Sequence, residues 1–290
     1  MRFGVCILPE VPWAEGRERW QAAEALGFDH AWTYDHLTWR DFRDEPWFGA
    51  IPTLTAAAMV TERIRLGPLV ASPNFRHPVP FAKELATLDD VSGGRLTLGI
   101  GAGGVGWDAT ALGQVPWERR ERTERFEESV ELLDLLLRQP ATTYEGRWYS
   151  ADEARMIPPS AQHPRIPFAI PATGPRGLKV VARHAQTWVT VGPVAVGDAL
   201  DADAAVQEVA EQCERLDAAC VAAGRDPSEV ARLALVGLLL PPIGFDSADR
   251  FDDLVGRYGE AGITDVVVHW PRPDGPYAAD RGAFERLFSR

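Results

Sequence analysis

The chain has 290 residues, 46% of them hydrophobic, with a net charge of −12 and an isoelectric point near 5.0. That suffices for a large core, either one α/β barrel or two smaller domains. The acid excess and the lack of a basic run argue against a nucleic-acid partner; no apolar run is long enough for a membrane span.

In chain order, Arg2–Leu8 reads as a first strand stopped by Pro9, followed by a helix over Gly16–Leu26 that Gly27 ends. A second strand, His30–Asp35, leads into a loop carrying Trp39, Phe42, Trp47 and Phe48. Pro52–Thr61 is a helix of small residues. Arg65–Ser72 is a third strand and Val79–Val91 a helix. A fourth strand begins at Arg95 and dissolves into glycines at 99, 101, 103, 104 and 106. Trp117–Arg138 carries Phe126, Val130, Leu133 and Leu137 at helical spacing. Thr142–Tyr149 has the pattern of a hairpin.

The second half repeats the alternation: strand Pro167–Ile170, helix Gly177–His184, strand Thr187–Val191, helix Asp201–Ala223. Strand Ala231–Leu240, stopped by Pro241-Pro242, precedes a helix over Ser247–Ala261. Strand Ile263–His269 and helix Gly282–Ser289 close the chain. Eight strands, nearly all continuously apolar as parallel strands covered on both faces are, each followed by a helix, predict a single (β/α)₈ TIM barrel over residues 1–290. A doubly wound sheet is the competitor. Gly101, Gly103 and Gly106 spell its G-x-G-x-x-G fingerprint, but after the fourth strand and before a loop. Cys6, Cys213 and Cys220 form no CxxC, and the last two lie about two helical turns apart, too far for a disulfide. A reducing, cytoplasmic setting is expected.

Barrel enzymes work with the loops after their strands. Here those loops lack the facing carboxylates of a retaining glycosidase and a His-x-His after strand one. Asp35, His36, His77 and His269 match no metal-ligand spacing. What remains is bare backbone at Gly101, Ala102 and Gly103, an Asp35-His36 pair and aromatic loops. That suits a planar cofactor, for which the protein supplies mainly positioning. Ala172, Thr173 and Gly174 precede a helix start, which is either an ordinary turn or an anion site. Arg176 and Arg272 are candidate charge partners. Trp39 and Trp107 are either loop packing or a substrate lid.

Tyr34-Asp35-His36-Leu37, Asn74-Phe75-Arg76-His77-Pro78, Gly93-Gly94-Arg95 running into Gly101, and His269-Trp270-Pro271-Arg272 together resemble the luciferase-like monooxygenase superfamily. The similarity points to its branch of coenzyme F420-dependent oxidoreductases. The resemblance implies a deazaflavin in the C-terminal mouth of the barrel, with Asp35 and His36 beside the ring and His36 near the carbon that exchanges hydride. It places a bulge over Leu69, Val70 and Ala71 behind the ring, with a non-proline cis peptide at Leu69–Val70. His269, ending strand eight, is either a packed barrel-rim histidine or a substrate-side site member. The resemblance also implies a small organic substrate and a homodimer. FMN is the alternative cofactor, in a monooxygenase of the same fold; a non-catalytic flavin-binding relative is the other reading. Two departures stand out. Gly104 replaces the acid of the sugar-phosphate dehydrogenases, and Ala185-Gln186-Thr187 replaces a frequent Gly-Asp-Gly.

Overall fold

A computed structural model describes residues 1–192, 202–237 and 244–289. Its strands are β1 (Arg2–Cys6), β2 (His30–Thr33), β3 (Arg65–Pro68), β4 (Leu98–Gly99), β5 (Ala141–Glu145), β6 (Ser150–Arg155), β7 (Phe168–Pro171), β8 (Thr187–Thr190), β9 (Ala231–Leu235) and β10 (Asp265–His269). Its helices are α1 (Trp13–Ala25), α2 (Ala50–Ala58), α3 (Pro78–Val91), α4 (Arg119–Arg138), α5 (Pro175–His184), α6 (Ala202–Ala222), α7 (Ala248–Glu260) and α8 (Arg281–Phe288).

β5 and β6 pair antiparallel as a hairpin between α4 and β7. The other eight strands are parallel, in the order β3-β2-β1-β10-β9-β8-β7-β4. Parallel bridges Leu66–Leu96 and Ala71–Ile100 join the two ends of that row, so the sheet curls into a barrel. The doubly wound alternative is thereby excluded. Among the described residues, no helix is long and apolar enough to cross a membrane, and the three cysteines are free and buried.

The seam between β3 and β4 closes over glycines. A Cβ on Gly67 would lie 2.2 Å from the Thr97 carbonyl oxygen, and one on Gly99 would lie 2.1 Å from that of Pro68. Only a residue without a side chain permits this approach. The seam also explains why the third and fourth strands are shorter than expected. Pro68 has no N–H to continue the ladder. The peptide Leu69–Val70 is cis, as the resemblance implies. Leu69 N–H still bonds Thr33 O on the β2 side at 2.8 Å, and on the β4 side pairing resumes at Ala71, whose N–H bonds Gly99 O at 2.9 Å.

Two apolar layers follow from the alternation of side chains along each strand. Cys6, Trp32, Ala169, Val189, Leu233 and Val267 fill the interior. Val5, Ala31, Leu66, Ile170 and Val268 pack outward under the helices. Polar contacts tie the strands together as well: His30 joins Asp265 at 3.0 Å and accepts from Trp32 Nε1 at 2.7 Å. The expected run of strand seven to Leu240, its Pro241-Pro242 stop and the start of a helix at Asp201 lie outside the described residues.

Candidate active site

The C-terminal ends of the strands enclose a cavity of about 560 Å³, within the range that holds a drug-sized ligand or cofactor ring. Its walls are chiefly apolar: Leu69 and Val70 from the segment after β3, Pro171 from β7, Val189 and Val191 from β8 and the residue beyond, and Leu235 from β9. One side is the backbone of residues 101–104. The loop after β2 adds Tyr34, His36, Thr38, Trp39 and Arg40, and the loop after β4 adds Trp107 and Asp108.

These two loops meet over the cavity. A short 3₁₀ turn, Trp107–Ala109, presents Asp108 to the end of β2. The carboxylate is buried; one oxygen lies 2.5 Å from His36 Nδ1 and the other accepts the Leu37 N–H at 2.7 Å. Trp47 Nε1 donates to the His36 carbonyl at 3.0 Å, fixing the backbone behind the ring. The Arg43 guanidinium sits 3.8 Å from the centre of the Trp107 ring, a second bond between the loops. Asn74 donates to Gly104 O at 3.2 Å. The arrangement offers an imidazole held by a carboxylate and facing an apolar chamber, which can take or give one proton.

Of the residues singled out from sequence, His36, Trp39, Leu69, Val70, Gly101, Ala102, Gly103 and Trp107 line this chamber. Ala71 lies behind it in the seam. Asp35 is turned away: its two oxygens accept from Arg76 Nε at 2.9 Å and Nη2 at 2.8 Å, and it is 2% exposed. Asp35, expected beside the ring, does not line the chamber; alternate residues along an extended segment point to opposite faces. Arg272 is likewise committed elsewhere, donating to Glu10 at 2.6 Å and lying over Phe42. Arg176 pairs with Glu127 and does not line the chamber. Ala172, Thr173 and Gly174 do not line the chamber; Ala172 O accepts from Trp188 Nε1 at 2.7 Å.

His269 stands behind the wall. Its Nε2 is 2.7 Å from the Tyr34 hydroxyl and its ring stacks on Tyr277 at 3.6 Å. Burial pushes its pKa down to about 3, so the ring is neutral. Burial, with Cys6 and Tyr277 nearby, pushes the Tyr34 phenol well above its usual range. His77 caps α3 by accepting the Val79 N–H. The four residues considered for a metal are therefore dispersed, and no group of three His, Cys, Asp or Glu among the described residues could hold one.

The glycines need a different explanation from the one the sequence suggests. A Cβ on Gly101 would lie 2.9 Å from Val70 and 3.2 Å from Pro171; Gly103 has φ +72 and would meet Asn74 at 2.7 Å. Protein neighbours alone already require both to be glycine. Asp108 and Arg40 line the chamber and are not singled out by the sequence reading. Asp108 follows the last glycine of the run by two residues, in the loop after a barrel strand, which is where such a residue acts.

A (β/α)₈ barrel with an apolar, ring-sized chamber and one carboxylate–imidazole pair at its strand ends is the framework of a cofactor-binding barrel protein. The family model for luciferase-like monooxygenases matches residues 1–242, and the chain belongs to that family. It is similar to the F420-dependent glucose-6-phosphate dehydrogenase of Beutenbergia cavernae, 29% identical over 315 residues that cover 91% of this chain and 90% of that protein. The protein of the same description from Microbacterium testaceum is 34% identical over 176 residues, 58% of this chain; that match spans only about half (49%) of the relative's length. In fold the chain resembles an F420-dependent secondary alcohol dehydrogenase solved with an F420–acetone adduct, with a TM-score of 0.80 at 17% identity, covering 100% and 99% of the two chains.

Proposed function

We propose that the protein is an oxidoreductase that moves a hydride between coenzyme F420 and a small organic substrate in the barrel mouth. The observation that carries this reading is the chamber: apolar walls, bare backbone at residues 101–104, and a single imidazole held by Asp108. Family membership and the F420-dependent relatives support the choice of cofactor.

The residues present fit that cofactor. Leu69, Val70, Val189 and Leu235 would pack against a planar ring, and Gly101–Gly104 would face it with backbone. Arg40 at the mouth, with Arg43 over Trp107, would meet an acidic tail; Arg176 and Arg272 would not, because Glu127 and Glu10 hold them. Coenzyme F420, when bound, supplies a ring carbon that accepts or gives a hydride. His36 takes the hydroxyl proton when an alcohol is oxidised and returns it when a carbonyl is reduced. Trp39 and Trp107 exclude water from the chamber.

The substrate in this reading is not a sugar phosphate. A Cβ at Gly104 would meet nothing closer than 3.8 Å, so an acidic side chain has room there and this chain carries none. The homodimer and the cytoplasmic location implied by the resemblance belong to the same proposal; sedimentation and cell fractionation test them. The decisive experiment is the absorbance spectrum and mass of the cofactor that copurifies, followed by titration with F420 and with FMN. F420 binding with hydride exchange is the expected result. Tight FMN binding with no F420 binding refutes the proposal and favours the monooxygenase; binding without turnover favours a non-catalytic relative.

A further inference from the structure

We infer that Asp108 is the positioning residue that sets the tautomer of His36, so that the nitrogen facing the chamber is the one able to accept a proton. The inference rests on the reading of His36 as proton acceptor and adds to it the residue that makes the ring competent.

The hydrogen-bond inventory carries the argument. An ionised carboxylate only accepts. One Asp108 oxygen already accepts the Leu37 N–H at 2.7 Å. The other lies 2.5 Å from His36 Nδ1, which must therefore carry the hydrogen. In a neutral imidazole, the opposite nitrogen then holds the lone pair. His36 lines the chamber, and no bond to Nε2 from the described residues competes for that lone pair.

The carboxylate is in turn fixed. Its side chain is 9% exposed, and the Trp107–Ala109 turn that bears it is held by the Arg43–Trp107 contact. On oxidation of an alcohol, the O–H bond breaks and its electron pair forms the carbonyl. The proton would go to His36 Nε2, and a bound deazaflavin would supply the acceptor for the hydride of the C–H bond. The imidazolium so formed donates from Nδ1 to Asp108, whose negative charge stabilises it.

Asp108→Asn tests this with a defined change. The amide oxygen can still accept from Leu37, but the amide NH₂ donates to Nδ1, which reverses the tautomer and places the hydrogen on Nε2. The readout is long-range ¹H–¹⁵N NMR of protein labelled at histidine, without added cofactor. There are six histidines, so His36→Gln suffices to identify the signal. The wild type should show a pyridine-type Nε2 and a pyrrole-type Nδ1, and Asp108→Asn should show the opposite. Turnover should fall about 100-fold with cofactor Kd within twofold, and Asp108→Asn should cost nothing further in a His36→Gln background.

A hydrogen on Nε2 in the wild type overturns the inference even if the variant does not fold. So does an unchanged tautomer in Asp108→Asn, or full additivity with His36→Gln, either of which would reduce Asp108 to an anchor for the Leu37 loop. The NMR result does not depend on which cofactor is used. Failure of F420 titration with the expected tautomers would sink the proposed function and leave this inference standing.

Discussion

Replacing Asp35 by alanine separates scaffold from chemistry at two adjacent residues. Asp35 is 2% exposed and holds Arg76 through both oxygens. The guanidinium is itself 16% exposed, packed over Phe75 and Phe81, and its remaining partner is Glu84 at 3.0 Å. Removing one member of a buried pair costs about 3–5 kcal/mol. Arg76 keeps Glu84, so the lower end applies, about 3 kcal/mol. For a chain of 290 residues, an unfolding entropy of about 2.1 cal/mol/K per residue gives about 0.6 kcal/mol/K, so Tm falls by about 5 °C. His36→Gln keeps an amide donor for the buried Asp108 carboxylate and should leave Tm within about 1 °C while cutting turnover about 100-fold. Differential scanning calorimetry and urea titration of both variants, alongside initial rates, make the comparison. An Asp35→Ala protein with wild-type Tm and no turnover would refute this assignment and return Asp35 to the chemistry.

Three further outcomes are expected. His269 is held neutral, with its folded pKa near 3 against about 6.5 unfolded; the unfolded chain therefore binds the extra proton as pH falls below 6.5. Its contribution is fully present above that pH and is lost by about 1.4 kcal/mol per unit as the pH falls from 6.5 towards 3, so urea midpoints at pH 7.5 and 5.5 should differ more in the wild type than in His269→Gln. Gly101→Ala would force a Cβ to 2.9 Å from Val70, costing about 1–3 kcal/mol and measurable as a reduced urea midpoint. Arg40→Ala and Arg43→Ala should each weaken F420 binding by about tenfold at low ionic strength, a loss that shrinks in salt, while Arg176→Ala leaves the Kd unchanged by isothermal titration.

How much of this was written in the sequence depends on how far apart the partners are. The barrel strands were legible because parallel strands covered on both faces are local apolar runs, and His36 because it falls directly at a strand end. β4 was not legible as the two-residue strand Leu98–Gly99, since its length is set by what β3 does beside it. The partners of the charged candidates were not legible for the same reason. Arg272 is neutralised by Glu10, 262 positions earlier, and Arg176 by Glu127, 49 positions earlier; nothing local distinguishes a committed guanidinium from a free one. Asp108 was missed because its role exists only where two loops meet, 72 residues apart.

The glycine run links these cases. Its residues suggest a cofactor fingerprint, yet Gly99 permits the β3–β4 seam, and Gly101 and Gly103 accommodate Val70, Pro171 and Asn74. Closing that seam is what carries the chain from β4 towards the end of β2, where the Asn74–Gly104 bond and the Asp108 contacts to His36 and Leu37 form. The glycines therefore act on the site through the protein as well as by lining the chamber. It follows that widening the seam should be felt at His36 before any cofactor is present. Gly99→Ala, which puts a Cβ against the Pro68 carbonyl, should disturb the His36 tautomer in the same NMR spectrum that reads Asp108→Asn; a seam variant that folds and leaves that spectrum unchanged would break the link.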